Sequence, residues 1–356
     1  MVYHLSNTRN YSKILKIAYI GRASGTSLHR AYALKRLGYQ VIHINPWAWI
    51  GRSRWIERWI FHAGGLGVGM IIDQRLFREV LKAQPDLIWV DHGEFLSPGC
   101  ILRLRKIGVP IINYNVDDPF GPRDGLRFFY YRRAIPYYDL LVVVRKENVA
   151  EAKKAGAYRV VQVWRSADEI AHAPRLLTQA EQQYYASEVA FIGTWMPERS
   201  PFMADLIRRG IPISIWGDNW HKAPEWRILK SYWRGPGLYD DKSYSAAILA
   251  SKICLGLLSK GNRDLHTQRS IEIPALGGLL CAERTSEHLQ LYVEGQEAVF
   301  WSDSAECAEY CFELLNSPKL RQEIAYRGHQ RCLQNNHYNE PTLYEIITLA
   351  FDGSQK

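Results

Sequence analysis

The stretch Ile253–Cys281, ICLGLLSKGNRDLHTQRSIEIPALGGLLC, decides how this chain is read. The apolar run Ile253–Leu258 predicts a strand that stops in a basic polar loop. A short helical segment with one acid, Glu272, follows and ends at Gly277-Gly278, after which Leu279–Cys281 begins a second strand. Strand, loop, helix, glycine stop and strand form one unit of a parallel sheet, because parallel neighbours need a crossover. Asp264 and Glu272 stand eight positions apart among the cations Lys260, Arg263 and Arg269. Cations and helix-start amides suit phosphates, and carboxylates suit sugar hydroxyls. A nucleotide diphosphate-sugar would find both here.

The same rhythm runs outward in both directions. Before this stretch, apolar runs at Lys16–Ile20, Val41–Ile44, Leu87–Val90, Pro110–Tyr114, Leu140–Val144 and Val160–Trp164 alternate with helical spacings. The rhythm breaks between Arg165 and Ser187, then restarts at Val189–Ile192 and Pro212–Trp216 and continues past Cys281 to Ala298–Trp301. Strands with little polar alternation are buried on both faces, so each half predicts a doubly wound α/β sheet. The expected layout is an N-terminal domain over 1–165, a linker over 166–187, a second domain over 188–340, and a C-terminal helix over 341–356 that crosses back to the first domain. Two such domains facing a central cleft would bind ligands at the carboxyl ends of their strands.

Composition narrows the classes. The 356 residues carry 45 basic and 36 acidic side chains, a formal charge of +9, which favours anionic ligands. The basic residues are scattered, so nucleic acid is not an expected partner. Six cysteines contain no C-x-x-C pair, and two lie in apolar strand runs. Free buried thiols, no disulfide and no metal are expected, since Cys307 and Cys311 lack a histidine pair to complete a zinc site. The N-terminal residues MVYHLSNTRNYSK show no apolar leader, and Trp59–Ile72 is too short to span a bilayer. A cytoplasmic location is the expectation.

Asp264, seven intervening residues, Glu272 and Pro-Ala-Leu-Gly-Gly resemble the E-x7-E region of retaining GT-B glycosyltransferases. The wording HTQRSIEIPALGGLL is closer still to the glycosyltransferase-like domain of CgeB-type spore-maturation proteins, with support from FIGTWMPERSPFMADL, IWGDNW and EGQEAVFW. The first half resembles only a generic GT-B N-domain. The resemblance implies a GT-B fold and sugar transfer from a nucleotide donor without cofactor or metal, with the retaining course favoured. A nucleotide-sugar epimerase, or a GT-B-like protein that binds without turnover, are the alternatives. The acceptor is left open among a glycan, a lipid-linked glycan and a protein.

By position, the resemblance gives Glu272 the ribose diol and Asp264 the donor sugar, and places His266 and Arg269 near the diphosphate and Gly277 in the motif. Asp264 is shorter than the usual glutamate, and Pro274 departs from the family's alanine-rich helix. Gly193, Thr194 and Arg199 occupy the turn where such enzymes meet the β-phosphate. Trp216 follows a strand where a base would stack, although tryptophan is also a large core residue. In the first half, His92 and Glu94 follow one strand and Asp117 another, and each is a candidate general base for an inverting course. Asp117 or Asp118 alternatively caps a turn before Pro119. Finally, Trp47–Phe61, WAWIGRSRWIERWIF, fits either a docked loop or a peripheral contact with an anionic membrane.

Overall fold

The computed structural model describes residues 14–50, 54–67 and 69–352. The N-terminal segment on which the expectation of no leader rests lies outside them. Contacts divide the chain into two units, Met1–Val163 with Leu343–Lys356, and Trp164–Thr342.

The first unit holds β1 (Lys16–Ile20), β2 (Gln40–Ile44), β3 (Leu87–Asp91), β4 (Ile111–Asn115), β5 (Leu140–Val143) and β6 (Val160–Gln162). They form one sheet in the order β2-β1-β3-β4-β5-β6, with every pairing parallel. Both faces are covered, which is why the strands read as nearly unbroken apolar runs. Ala18, Ile20, Ile88 and Val90 enter one core, and Ile17, Tyr19, Leu87 and Trp89 enter the other. Leu343, Ile346, Ile347 and Ala350 of the helix Asn339–Asp352 complete the second core.

The second unit holds β7 (Ser187–Ile192), β8 (Ile213–Trp216), β9 (Trp233–Gly235), β10 (Ser251–Gly256), β11 (Leu280–Glu283) and β12 (Val299–Trp301). Their order is β12-β11-β10-β7-β8-β9, again parallel throughout. Each sheet reverses its winding once, between β1 and β3 in the first unit and between β7 and β10 in the second. At such switch points, loops leaving the carboxyl ends part and open a crevice.

Two regions differ from the sequence reading. Edge strand β9 is not among the apolar runs, being three residues long and therefore without a readable period. Residues 166–187, expected as a linker, belong to the second unit and carry a helix at Gln179–Tyr185. That helix starts at Thr178, whose hydroxyl accepts from the Glu181 amide while the Glu181 carboxylate accepts from the Thr178 amide.

Candidate functional site

In the second unit, β10 runs into a single 3-10 turn at Lys260–Asn262, and the helix Gln268–Ala275 starts at Thr267. The Thr267 amide donates to the Ser270 hydroxyl at 2.9 Å, fixing the first turn. Pro274 lies inside this helix and supplies no amide for the Ser270 carbonyl four residues earlier. The Tyr292 hydroxyl donates to that carbonyl instead, at 2.8 Å. The helix therefore tolerates its proline because a tyrosine replaces the lost bond.

Glu272 is buried, and each carboxylate oxygen has its own donor. The Tyr244 hydroxyl donates to Oε2 at 2.5 Å, and His172 Nε2 lies 3.3 Å from Oε1. The backbone amide of Asp168 donates to His172 Nδ1 at 2.8 Å, so Nε2 carries the ring hydrogen and points it at Glu272. A carboxylate has about four lone-pair positions, so two remain for a ligand's hydroxyls.

Asp264 is also buried and pairs with Arg165, whose Nη2 lies 3.3 Å from Oδ1. His266 accepts from the Arg165 amide at Nε2 (3.3 Å) and donates from Nδ1 to Glu287 (2.6 Å). Burial pulls its pKa below the ordinary histidine value despite the Glu287 carboxylate. Arg269 donates from Nε to the Ile192 carbonyl at the end of β7. Its guanidinium lies over Gly193, where an added Cβ would come within 2.9 Å of Nη2. A side chain at 193 would have to displace that guanidinium or the Phe191 ring, 2.8 Å from the added Cβ.

Arg199, Thr194, Trp216 and Gly277 have protein environments of their own. The buried Arg199 guanidinium donates to the carbonyls of Thr194 (2.8 Å), Leu257 (3.2 Å) and Leu258 (3.1 Å), so it ties the β7 and β10 loops together. Thr194 is exposed, and its described role is that carbonyl. Trp216 is buried beneath Tyr184 and Tyr185, with ring centroids at 5.8 and 5.5 Å, which is a core position. Gly277, at φ +84, ends the helix whose other end faces the β10 loop. A glycine stop needs that left-handed conformation, and the eight-residue helix separates it from the loop by about 12 Å.

A second cluster lies at the switch point of the first unit. Asp91, the last residue of β3, is buried and receives a forked pair of bonds from Arg30, at 2.7 and 3.0 Å. The Tyr19 hydroxyl lies 2.7 Å from Asp91 Oδ2. Burial alone would raise the Asp91 pKa, but Arg30 and His92 outweigh it and hold the carboxyl well below its usual range. His92 Nδ1 donates to Asp91 Oδ1 at 2.8 Å. Burial lowers the His92 pKa, yet the bond to Asp91 and its charge prevail, and the net direction is upward. His92 has φ +64, a strained conformation for a side-chain-bearing residue. The Tyr114 carbonyl accepts from its amide, and Asn113 donates to its carbonyl.

His92 thus has its hydrogen-bond partner in Asp91, while the charges of Asp117 and Glu94 add a smaller upward pull on its pKa. Glu94 and Asp117 converge on Arg127, at 3.7 and 2.8 Å. Asp118 is the turn cap, accepting the amides of Phe120 (3.2 Å) and Gly121 (3.1 Å). Sequence reasoning missed Arg30, Tyr19, Arg165, His172, Tyr244 and Glu287 as members of these clusters. Asp168, four residues before His172, was an available signal.

The thiols of Cys281, Cys307 and Cys311 lie within 4.8 Å of one another in the second unit's core. The expectation of no metal rested on Cys307 and Cys311 alone, and the fold adds Cys281 from β11. No histidine, aspartate or glutamate joins this group among the described residues.

A family model described as Glycosyl transferase-like matches residues 199–346. No curated protein matches the chain. Among solved structures, the chain is similar to sucrose-phosphate synthase from Thermosynechococcus elongatus, with 11% identity, TM-score 0.70, and coverage of 96% of this chain and 100% of that one. HepE of Anabaena in complex with UDP and glucose matches at 11% identity and TM-score 0.65, covering 94% and 99%. Trehalose-6-phosphate synthase from E. coli, bound with UDP-2-fluoro glucose, matches at 14% identity and TM-score 0.65, covering 96% and 99%. With two parallel six-stranded sheets and these matches, the chain has the two-domain GT-B fold.

Proposed function

We propose that this protein transfers a sugar from a nucleoside diphosphate-sugar, with UDP as the first nucleotide to test because HepE and the E. coli protein were solved with UDP or a UDP-sugar. The observation that carries the reading is Glu272. A buried carboxylate, oriented by Tyr244 and His172 on the helix after the β10 loop, is prepared to accept two adjacent hydroxyls such as a ribose diol. Arg269 and the first amides of its helix are our assignment for the diphosphate, with Gly193 allowing close approach. These groups meet the phosphate charge without a metal. Asp264 is assigned to the donor sugar and His266 to the diphosphate side, where Arg165 and Glu287 fix their positions. Among GT-B proteins, we place the chain nearest the CgeB type on the wording HTQRSIEIPALGGLL.

The Asp264-to-Glu272 spacing supports a retaining course. A second reading, inversion, is favoured by the Asp91–His92 pair. With Nδ1 donating to a carboxylate, the neutral imidazole keeps Nε2 as a proton acceptor, which is the arrangement of a general base. The test is donor-dependent release of UDP from a panel of UDP-sugars, followed by the anomeric configuration of the product. Binding of UDP-sugar without release of UDP or an epimerised sugar would leave a binding protein and end the transferase reading. An epimerised sugar would favour the epimerase alternative.

A further inference from the structure

The helix Arg54–Ala63 carries its aromatic residues on the outside. Ile60 is buried and Ile56 half-buried, and they mark the inner face. On the opposite arc, Trp55 is 79% exposed, Trp59 53% and Phe61 46%, with Arg58 and His62 exposed between them. A surface helix ordinarily turns charged or polar residues outward. Two tryptophans and a phenylalanine there leave a large apolar area in water, and such patches mark interaction sites. The neighbouring tryptophans behave differently. Trp47 meets Phe95 edge-on at 4.6 Å under Arg22, and Trp49 lies under Arg75. The aromatic stretch read as one segment is therefore docked in its first half and outward-facing in its second.

We infer that this outer face docks on an anionic lipid bilayer. Arg58 lies exposed between the rings, and the whole chain carries +9, so the face matches negative headgroups in charge. Tryptophan and phenylalanine interleaved with arginine suit the headgroup–acyl boundary, where rings bury and guanidinium groups stay hydrated. The Trp59 indole N–H is already met by the Leu66 carbonyl at 2.9 Å, so the rest of that ring presents apolar surface. A second copy fits less well. It would oppose arginine to arginine, and a ten-residue helix offers a face about 15 Å by roughly 10 Å, on the order of 150 Å², far short of the roughly 800 Å² per partner of a stable interface. No helix among the described residues is long and apolar enough to cross a membrane, so this contact is peripheral. The inference stands apart from the transferase reading.

The test is co-sedimentation of the full chain with vesicles of phosphatidylcholine alone, or of phosphatidylcholine mixed with phosphatidylglycerol. The parent should pellet with the mixed vesicles, show blue-shifted tryptophan emission, and release at high salt. Trp55→Ser/Trp59→Ser should lower the partition coefficient about tenfold or more, and Arg58→Glu should lower it several-fold on mixed vesicles only. Trp55→Ser alone removes no described contact and keeps the test usable if the double variant folds poorly. Equal pelleting of parent and Trp55→Ser, equal pelleting with both vesicle types, or a concentration-dependent dimer that Trp55→Ser abolishes would each overturn the inference.

Discussion

The two switch points carry opposite electrostatic designs. In the first unit, Arg30, Tyr19 and His92 converge on the single carboxylate of Asp91, and the product is one oriented, partly exposed imidazole. In the second, each candidate has a separate protein partner: Asp264 has Arg165, His266 has Glu287, and Glu272 has Tyr244 and His172. The first raises a histidine pKa with a carboxylate, while the second lowers histidine pKa values by burial. The lesson is that orienting a base and preparing a binding surface draw differently on the same fold. A base needs a charge behind it, whereas a binding carboxylate needs donors that leave some lone pairs open.

The strongest way to break this comparison is Asp91→Ala. It leaves the Arg30 guanidinium buried without its carboxylate, and about 3–5 kcal/mol of stability should be lost. Urea unfolding measures it, and a loss below 1 kcal/mol would show that the cluster is not an anchor. Next comes His92→Gln, which keeps the backbone donor and acceptor in place. Turnover should fall about a hundredfold or more if His92 is the base, with donor affinity unchanged. Turnover within twofold of the parent would remove His92 from the chemistry.

Glu272→Gln probes the second unit. One donor would then face an amide nitrogen, so stability should fall by about 1–3 kcal/mol and UDP affinity about tenfold. Isothermal calorimetry reads the affinity, and parental binding would end the ribose assignment. Arg199→Ala separates bracing from phosphate binding. Its three carbonyl partners lose their donor, so unfolding should shift at least as much as in Glu272→Gln. A variant of parental stability with lost UDP binding would return Arg199 to the phosphate site.

The mildest effect is on pH. Burial holds His288 at a pKa of about 4, against roughly 6.5 in an unfolded chain. Between those values the unfolded chain binds more protons, so the second unit loses stability as pH falls from about 6.5 to 4. His92 works the other way: its raised pKa contributes stability below the unfolded value and loses it as pH rises through the folded one. Hydrogen exchange at pH 7 and pH 5 should therefore show protection falling around His288 before it falls around His92. Earlier opening around His92 would contradict the contrast.

Apolar periodicity determined both sheets. Runs such as Lys16–Ile20 and Ile253–Leu258 are buried on two faces, so local sequence suffices to mark them. Strand β9 escaped because three residues carry no period, and Arg54–Ala63 escaped because its outward aromatics mask the inward stripe. The sequence also located Glu272, His92 and Gly193 in loops and helices at strand ends. Tertiary structure alone decided their partners. Asp91 meets Arg30 across 61 positions, and Glu272 meets Tyr244 across 28. It also gave Arg199 three carbonyl partners and placed Trp216 in the core. Spacing along the chain fixes which element a residue occupies, but a side chain's charge and exposure depend on groups that only folding brings within bonding distance.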